Sequence, residues 1–173
     1  RMMQQLGVVE RLPRLVVAQA ENANPLYRAW SAGKKEVEPI TAQPTQATAI
    51  QIGNPVSAPR AIKALEAMDG IVEQASEQEL ADAAARADAT GMYTCPHTAV
   101  GLAVLEKLRA RDVIKSDDRV VCISTANGLK FTEFKVRYHE GLIDGVTSNL
   151  RNPAVMLPAD YGQVVDAIGK RFS

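Results

Sequence analysis

The sequence predicts an α/β fold in which helices cover both faces of an open, doubly wound and mostly parallel sheet. Short apolar runs, at residues 15–18, 49–52, 71–72 and 120–123, are separated by segments with helical periodicity. These runs do not alternate between apolar and polar residues, which is typical of parallel strands that are buried on both faces. Ligands of such sheets bind at the carboxyl ends of strands, so the segments that follow these runs are the candidate site.

The helical segments carry their own boundary signals. Ser57 and Pro59 mark a helix start, and Pro96 suits the first turn of a later helix that is apolar nearly all round. Ser76 and Glu79 have the spacing of a capping box, with Gly91 beyond the end of that helix. A second, weaker box at residues 160 and 163 precedes the terminal helix, and residues 31–46 are the best loop candidate.

Composition limits the classes of partner. The chain has 173 residues, enough for one domain, with 46% hydrophobic and 23% charged residues. Twenty basic residues balance twenty acidic ones, so no net field attracts nucleic acid or an anionic membrane. No apolar stretch approaches the ~20 residues of a membrane span, and no signal peptide is visible. Because the chain opens within a helical pattern, we expect Arg1 to be an internal residue of a longer protein.

Cysteine and histidine usage predicts no metal site. Cys95 and Cys122 form no disulfide framework, and both are expected to be small buried residues in a reduced cytoplasm. Cys95 and His97 alone are a weak basis for zinc. The glycine motifs that bind dinucleotides or nucleoside triphosphates do not occur.

Polar turn segments follow three of the apolar runs. Residues 21–26 and 53–55 are ordinary turn sequences, and Asn127-Gly128 is by itself a hairpin signal. Residues 124–131 place hydroxyl groups directly after an apolar run, where they could bind a cofactor. Taken singly, none of these segments identifies a function.

Together and in this order, the segments closely resemble motifs of the threonine synthase family, nearest its plant-type branch, from about Leu15 to the terminal helix. The motifs are VAQA at 17–20, NPLY at 24–27, ATAIQIGNP at 47–55, GIVE at 70–73, ATG at 89–91, CPHT at 95–98 and STA-x-GLKF at 124–131.

The resemblance implies the large domain of the second pyridoxal-phosphate fold type, of which residues 1–173 would be the C-terminal segment. It implies conversion of O-phosphohomoserine and water to threonine and phosphate, in a homodimer. The family threonine that binds the pyridine nitrogen corresponds to Thr125, with Ser124 and Ala126 shaping the same turn. Ala49 and Ile50 are expected near the cofactor or substrate.

The sequence also departs from the family pattern. Asn127 stands where the family commonly has histidine. The Schiff-base lysine and the phosphate-binding loop are expected upstream, so the catalytic lysine is unknown and the isolated chain is expected to be inactive. Seven lysines are instead predicted to be solvated surface charges: Lys34, Lys35, Lys63, Lys107, Lys115, Lys130 and Lys135. The alternatives are a cysteate-synthase-like β-replacement enzyme acting on O-phosphoserine and a non-catalytic folded fragment.

Overall fold

The computed structural model describes residues 2–172, which form an α/β structure. The strands are β1 (Val16–Ala20) and β2 (Ile71–Ala75). The helices are α1 (Met2–Gln5), α2 (Pro25–Ser31), α3 (Ala58–Ala67), α4 (Glu77–Ala89), α5 (Pro96–Ala110), α6 (Thr132–Glu140) and α7 (Tyr161–Phe172). Short 3₁₀ turns occur at Glu21–Ala23, Thr48–Ile50 and Gly128–Phe131.

The two strands pair in parallel, in a register that runs from Val16 opposite Ile71 to Ala20 opposite Ala75. Successive side chains of a strand point to opposite faces, and each face here has its own apolar cluster. Val17 and Val72 pack with apolar residues of α2 and α3. Ala20 and Ala75 pack with α4 and α5. The predicted parallel pairing and the helices on both faces are therefore confirmed.

Helices α4 and α5 form the main core above the sheet. The buried face of α4 consists largely of small residues: Ala81, Ala83, Ala84, Ala85 and Ala87. The predicted capping box at its start is confirmed, because Glu79 N donates to Ser76 Oγ at 3.2 Å and Ser76 N donates to Glu79 Oε2 at 2.8 Å. Pro96 opens α5 as predicted, and Val100 and Val104 of this helix are almost completely buried.

Two of the four predicted strands were wrong. The segment 49–52 begins within the 3₁₀ turn Thr48–Ile50, and residues 120–123 have no strand partner within the described part of the chain. Val121 and Ile123 are 88% and 79% exposed. An apolar run shows that a segment prefers an apolar environment, but a strand also needs a hydrogen-bonding neighbour, and neither β1 nor β2 pairs with these runs.

The prediction for the cysteines was half right. Cys95 is buried, whereas Cys122 is exposed because it belongs to the unpaired run 120–123. Within residues 2–172, none of the helices combines the length and hydropathy that crossing a bilayer requires. The predicted loop at residues 31–46 is confirmed except for Ser31, which ends α2, since residues 32–47 contain neither helix nor strand.

Candidate functional site

The segments singled out from the sequence converge on the N-terminus of α5. Cys95 is the N-cap of this helix, and its Sγ accepts a hydrogen bond from Thr98 N at 3.3 Å. Pro96 occupies the first helical turn, where the missing N–H is not needed. The positive end of the helix dipole therefore faces the neighbouring loops.

A cluster of thiol and hydroxyl groups joins this helix end to the turn at residues 124–126. Cys95 Sγ lies 3.1 Å from Thr98 Oγ1 and 4.0 Å from Thr125 Oγ1. Thr98 Oγ1 in turn lies 3.2 Å from Ser124 Oγ. Cys95 and Thr98 are buried, whereas Ser124 and Thr125 are exposed. The turn thus presents hydroxyls to solvent while buried groups on α5 support it.

Beside this turn lies a cleft with a volume of about 480 Å³. Its lining residues are Gly91, Met92, Tyr93, Thr94, Ser124, Thr125, Ala126 and Asn127. Thr94 is only 2% exposed, and its Oγ1 has no hydrogen-bond partner in the part of the chain that the structure describes. A buried hydroxyl without a partner is costly, and this one belongs to a residue of the cleft wall.

The two walls of the cleft are joined to each other. Thr94 and Asn127 form an isolated antiparallel bridge, and Gly128 N donates to Tyr93 O at 2.9 Å. A Cβ atom on Gly128 would lie 2.8 Å from both Thr94 O and Tyr93 Cδ1, so only glycine fits this contact. Asn127 does not form the hairpin that its pairing with Gly128 indicates; its Oδ1 accepts from Leu129 N at 2.9 Å and caps a 3₁₀ turn.

Ala49 and Ile50 reach the same helix end from another direction. Ala49 N donates to His97 Nε2 at 2.9 Å, and the His97 ring packs edge-on against Phe131 with centroids 4.9 Å apart. Ser124, Thr125 and Ala126 line the cleft, but Ala49 and Ile50 are not among its lining residues.

Burial and hydrogen bonding set the protonation of the buried groups. Burial acts to raise the pKa of the Cys95 thiol, but hydrogen bonds involving Thr98, Thr125 and Ala126 outweigh it and bring the pKa below its usual value. Burial lowers the pKa of His97. A neutral His97 imidazole agrees with Nε2 accepting the Ala49 N–H.

Lys135 and Asp88 behind the cleft were missed from the sequence. Lys135 is only 4% exposed and is therefore not the solvated charge that was predicted. Its Nζ lies 2.8 and 2.7 Å from the Asp88 carboxylate oxygens. Burial lowers the Lys135 pKa, an effect that Asp88 opposes. The usable signal is helical spacing, because Lys135 lies on the face of α6 that carries Phe134 and Tyr138, and Phe131 continues this face just before the helix.

Lys107 is a second exception to the surface prediction. Its side chain is 28% exposed, and its Nζ lies 3.1 Å from Glu79 Oε2 and 2.8 Å from Gln74 O. Within residues 2–172, no group of three or more histidine, cysteine or acidic residues could hold a metal ion.

Known proteins resemble the chain along most of its length. Residues 3–126 match the family model described as pyridoxal-phosphate dependent enzyme. Threonine synthase 2, chloroplastic, of Arabidopsis thaliana is 52% identical over 96% of this chain and 33% of its own length. Threonine synthase of Methanocaldococcus jannaschii is 36% identical over 78% of this chain and 33% of its own.

A solved structure of threonine deaminase from T.th. covers 63% of this chain and 38% of its own, with 24% identity and a TM-score of 0.46. That overlap is too partial to establish a likeness. The chain spans about a third of the length of the two threonine synthases. The family match includes Thr125 and both walls of the cleft up to Ala126. The chain belongs to the family of pyridoxal-phosphate-dependent enzymes, and it is similar to threonine synthases along nearly all of its length.

Proposed function

We propose that this chain forms one wall of the active site of a threonine synthase that converts O-phosphohomoserine and water to threonine and phosphate. The observation that carries the proposal is the cleft that is lined by the Thr125 turn and by Thr94, whose buried hydroxyl has no partner among the described residues. On this proposal, residues 1–173 are the C-terminal segment of a catalytic domain whose upstream part supplies the Schiff-base lysine and the phosphate-binding loop.

The donor set of the cleft fits the cofactor of the family. When bound, pyridoxal phosphate supplies the electron sink that stabilises negative charge on the substrate. The described residues that line the cleft carry no carboxylate, and their polar side chains are neutral hydroxyl, phenol and amide groups. A carboxylate would keep the pyridine nitrogen protonated, whereas the neutral Thr125 hydroxyl leaves a weaker sink that is compatible with elimination and replacement.

Each predicted site residue has a role in this proposal. Thr125 Oγ1 binds the pyridine nitrogen, and Ser124 and Ala126 hold the turn against α5. Ala49 and Ile50 lie near the cofactor or substrate, through the contact of Ala49 with His97. The proposal also includes a homodimer and a cytoplasmic location, although the name of the Arabidopsis relative places that protein in the chloroplast.

Reconstitution tests the proposal. This chain is coexpressed with the part of the Arabidopsis relative that precedes the matched region, and phosphate release from O-phosphohomoserine is measured. The complex should turn over and the chain alone should not. Thr125→Val should reduce kcat about tenfold to a hundredfold. The substitution leaves the pyridine nitrogen of the bound cofactor without its hydrogen-bond partner, at a cost of about 1–3 kcal/mol. Thr125→Ser should keep most activity, and Thr41→Val, in an exposed loop, should change nothing.

Full activity of Thr125→Val, or turnover by the isolated chain, would contradict the proposal. O-phosphoserine as the preferred substrate of the complex would instead support the β-replacement alternative. Borohydride reduction followed by intact mass locates the cofactor. A pyridoxyl group on the upstream polypeptide is expected, and one on this chain would show that a lysine of this chain is the catalytic one.

A further inference from the structure

We propose that the buried ion pair between Lys135 and Asp88 is a positioning element that holds the two walls of the Thr125 cleft in register. Its effect on catalysis rests on the function proposed above, whereas its effect on the geometry of the chain does not. The cleft has one wall at residues 91–94 and the other at residues 124–127. The ion pair lies behind the first wall and connects it to α4 and α6.

The pair is shielded from solvent on both sides. The side chains of Lys135 and Asp88 are 5% and 13% exposed, and the ammonium reaches both carboxylate oxygens. The ammonium also lies 4.9 Å from the ring centroid of Tyr93 and 5.7 Å from that of Phe134. Two carboxylate contacts and two aromatic rings hold Nζ in place.

The pair contacts the first wall directly. Asp88 Oδ1 accepts a hydrogen bond from Thr94 N at 3.3 Å, and Lys135 Nζ faces the Tyr93 ring. Tyr93 and Thr94 both line the cleft. The position of the carboxylate, which Lys135 holds, therefore determines where the backbone of Thr94 lies.

Direct contacts link the position of the first wall to that of the second. Thr94 bridges Asn127, Gly128 N donates to Tyr93 O, and the Gly128 backbone lies too close to Tyr93 and Thr94 to admit a side chain. A tightly packed contact transmits displacement. A shift of Thr94 must therefore displace Asn127 and Gly128, which directly follow the turn that contains Thr125.

The energetics of buried ion pairs favour such a role. Replacing a buried pair with apolar residues of similar size is often neutral or stabilising, so a contribution to stability does not explain this one well. Hydrogen bonds are directional, and here the Asp88 carboxylate accepts from the Lys135 ammonium at 2.7 Å and from Thr94 N at 3.3 Å. The main effect of the pair is therefore to position the residues of the cleft wall, and its contribution to the free energy of unfolding is smaller.

The test uses the 173-residue chain and the double variant Lys135→Met with Asp88→Asn, which removes both charges together. Amide hydrogen exchange should become at least about tenfold faster in segments 91–98 and 124–128 and stay unchanged in β1. Lys107→Met is the matched control, since Lys107 is a partly buried lysine that pairs with Glu79 away from the cleft. It should not produce selective exchange in the cleft segments.

In the reconstituted enzyme the double variant should also shift the absorbance of the bound cofactor and lower kcat about tenfold, with Lys107→Met unchanged in both. Uniform exchange along the chain, or unchanged exchange in the cleft segments, would overturn the proposal. Failure of the proposed function would give a different result, namely an unchanged kcat for Thr125→Val in the reconstituted enzyme. The hydrogen-exchange result does not depend on the cofactor, so the two failures can be told apart. If the double variant does not fold, Lys135→Arg is measured instead. Its larger, planar guanidinium should displace Asp88 and speed amide exchange in segments 91–98 and 124–128.

Discussion

The two ends of helix α5 differ in the chemistry that surrounds them. At the N-terminus, Cys95 and Thr98 contact the neutral hydroxyls of Ser124 and Thr125. At the C-terminus, Lys107 and Arg111 pair with acidic groups of β2 and α4, chiefly Glu73 and Glu79. One end is neutral and borders a cleft, and the other is charged and bonded to the sheet.

The difference shows that one helix has ion pairs to the sheet at one end and the candidate cleft at the other. Basic side chains at a helix C-terminus are favoured by the helix dipole, and those of α5 also attach the helix to the buried Glu73 in the middle of β2. The N-terminal end borders the cleft and carries no charged side chain in its first turn. We therefore expect changes at the C-terminal end to alter stability and changes at the N-terminal end to alter binding.

The largest effect is expected from Glu73→Gln at the charged end. Removing one partner of a buried pair strands the other charge at a cost of about 3–5 kcal/mol, but Arg111 is half exposed and Lys107 keeps Glu79. We expect a loss of about 2–3 kcal/mol, or a Tm lower by about 5–10 °C in thermal denaturation. Exchange in the cleft segments should remain like that of the wild type. The exposed pair of Glu38 with Lys34 provides the control, since Glu38→Gln should leave Tm unchanged. An unchanged Tm for Glu73→Gln would contradict the inference that ion pairs at the C-terminal end of α5 stabilise the fold.

Gly128→Ala addresses the neutral end and should have an intermediate effect. The added Cβ would meet Thr94 O and Tyr93 Cδ1 at 2.8 Å, so the turn must move away from the first wall. Overpacking of this kind costs about 1–3 kcal/mol. We expect weaker cofactor binding by the reconstituted enzyme, measured by titration of cofactor fluorescence. Gly169→Ala is the control, because nothing lies within 4 Å of a Cβ at that helical position and binding should not change. Equal binding by both variants would contradict the close approach at Gly128.

The smallest effect is the pH dependence of the His97 contact. Burial lowers the folded-state pKa of His97 below its usual value near 6.5, so the unfolded chain binds the proton more readily. The contribution of neutral His97 to the stability of the folded chain is therefore fully present above about pH 6.5. It is lost as the pH falls through the folded-state pKa. Protonation also removes the acceptor of Ala49 N, a hydrogen bond worth about 1 kcal/mol.

Urea denaturation at pH 7.5 and 5.5 measures this effect. The wild type should lose stability at the lower pH, and His97→Gln should lose less of it. Burial also lowers the pKa of His139, so His139→Gln serves as the comparison at a position away from the cleft. If only His139→Gln reduced the pH dependence, the contact between His97 and Ala49 would not be the sensitive one.

The features that were predictable from sequence are those determined by neighbouring residues. The capping box of Ser76 and Glu79, the start of α5 at Pro96 and the strands near 15–18 and 71–72 depend on local spacing, and the structure contains all of them. The positions of Ser124, Thr125 and Ala126 in one cleft became expected through the resemblance to a family. That inference required the order of several motifs, not any single one.

The features that were not predictable depend on partners distant in sequence. Lys135 is buried because Asp88, 47 residues away, neutralises it, and no local pattern states that pairing. Thr94 has a buried hydroxyl without a partner among the described residues, and no local sequence pattern indicates this. The apolar run at 120–123 has the composition of a strand. It is nevertheless exposed, because β1 and β2 pair with each other and not with this run.

The alanine-lined face of α4 has a thermodynamic consequence for the cleft. Alanine has no rotamers to lose on folding, whereas an isoleucine or leucine at the same position would lose about 0.5–1 kcal/mol of conformational entropy. The five buried alanines therefore add no side-chain entropic cost to the contact of α4 with α5, in which Leu80, Val100 and Val104 are buried side chains that do lose rotamers. Because such a contact offers few alternative side-chain arrangements, the orientation of α5, and with it the direction in which Cys95 and Thr98 face, has little configurational freedom once the helices meet.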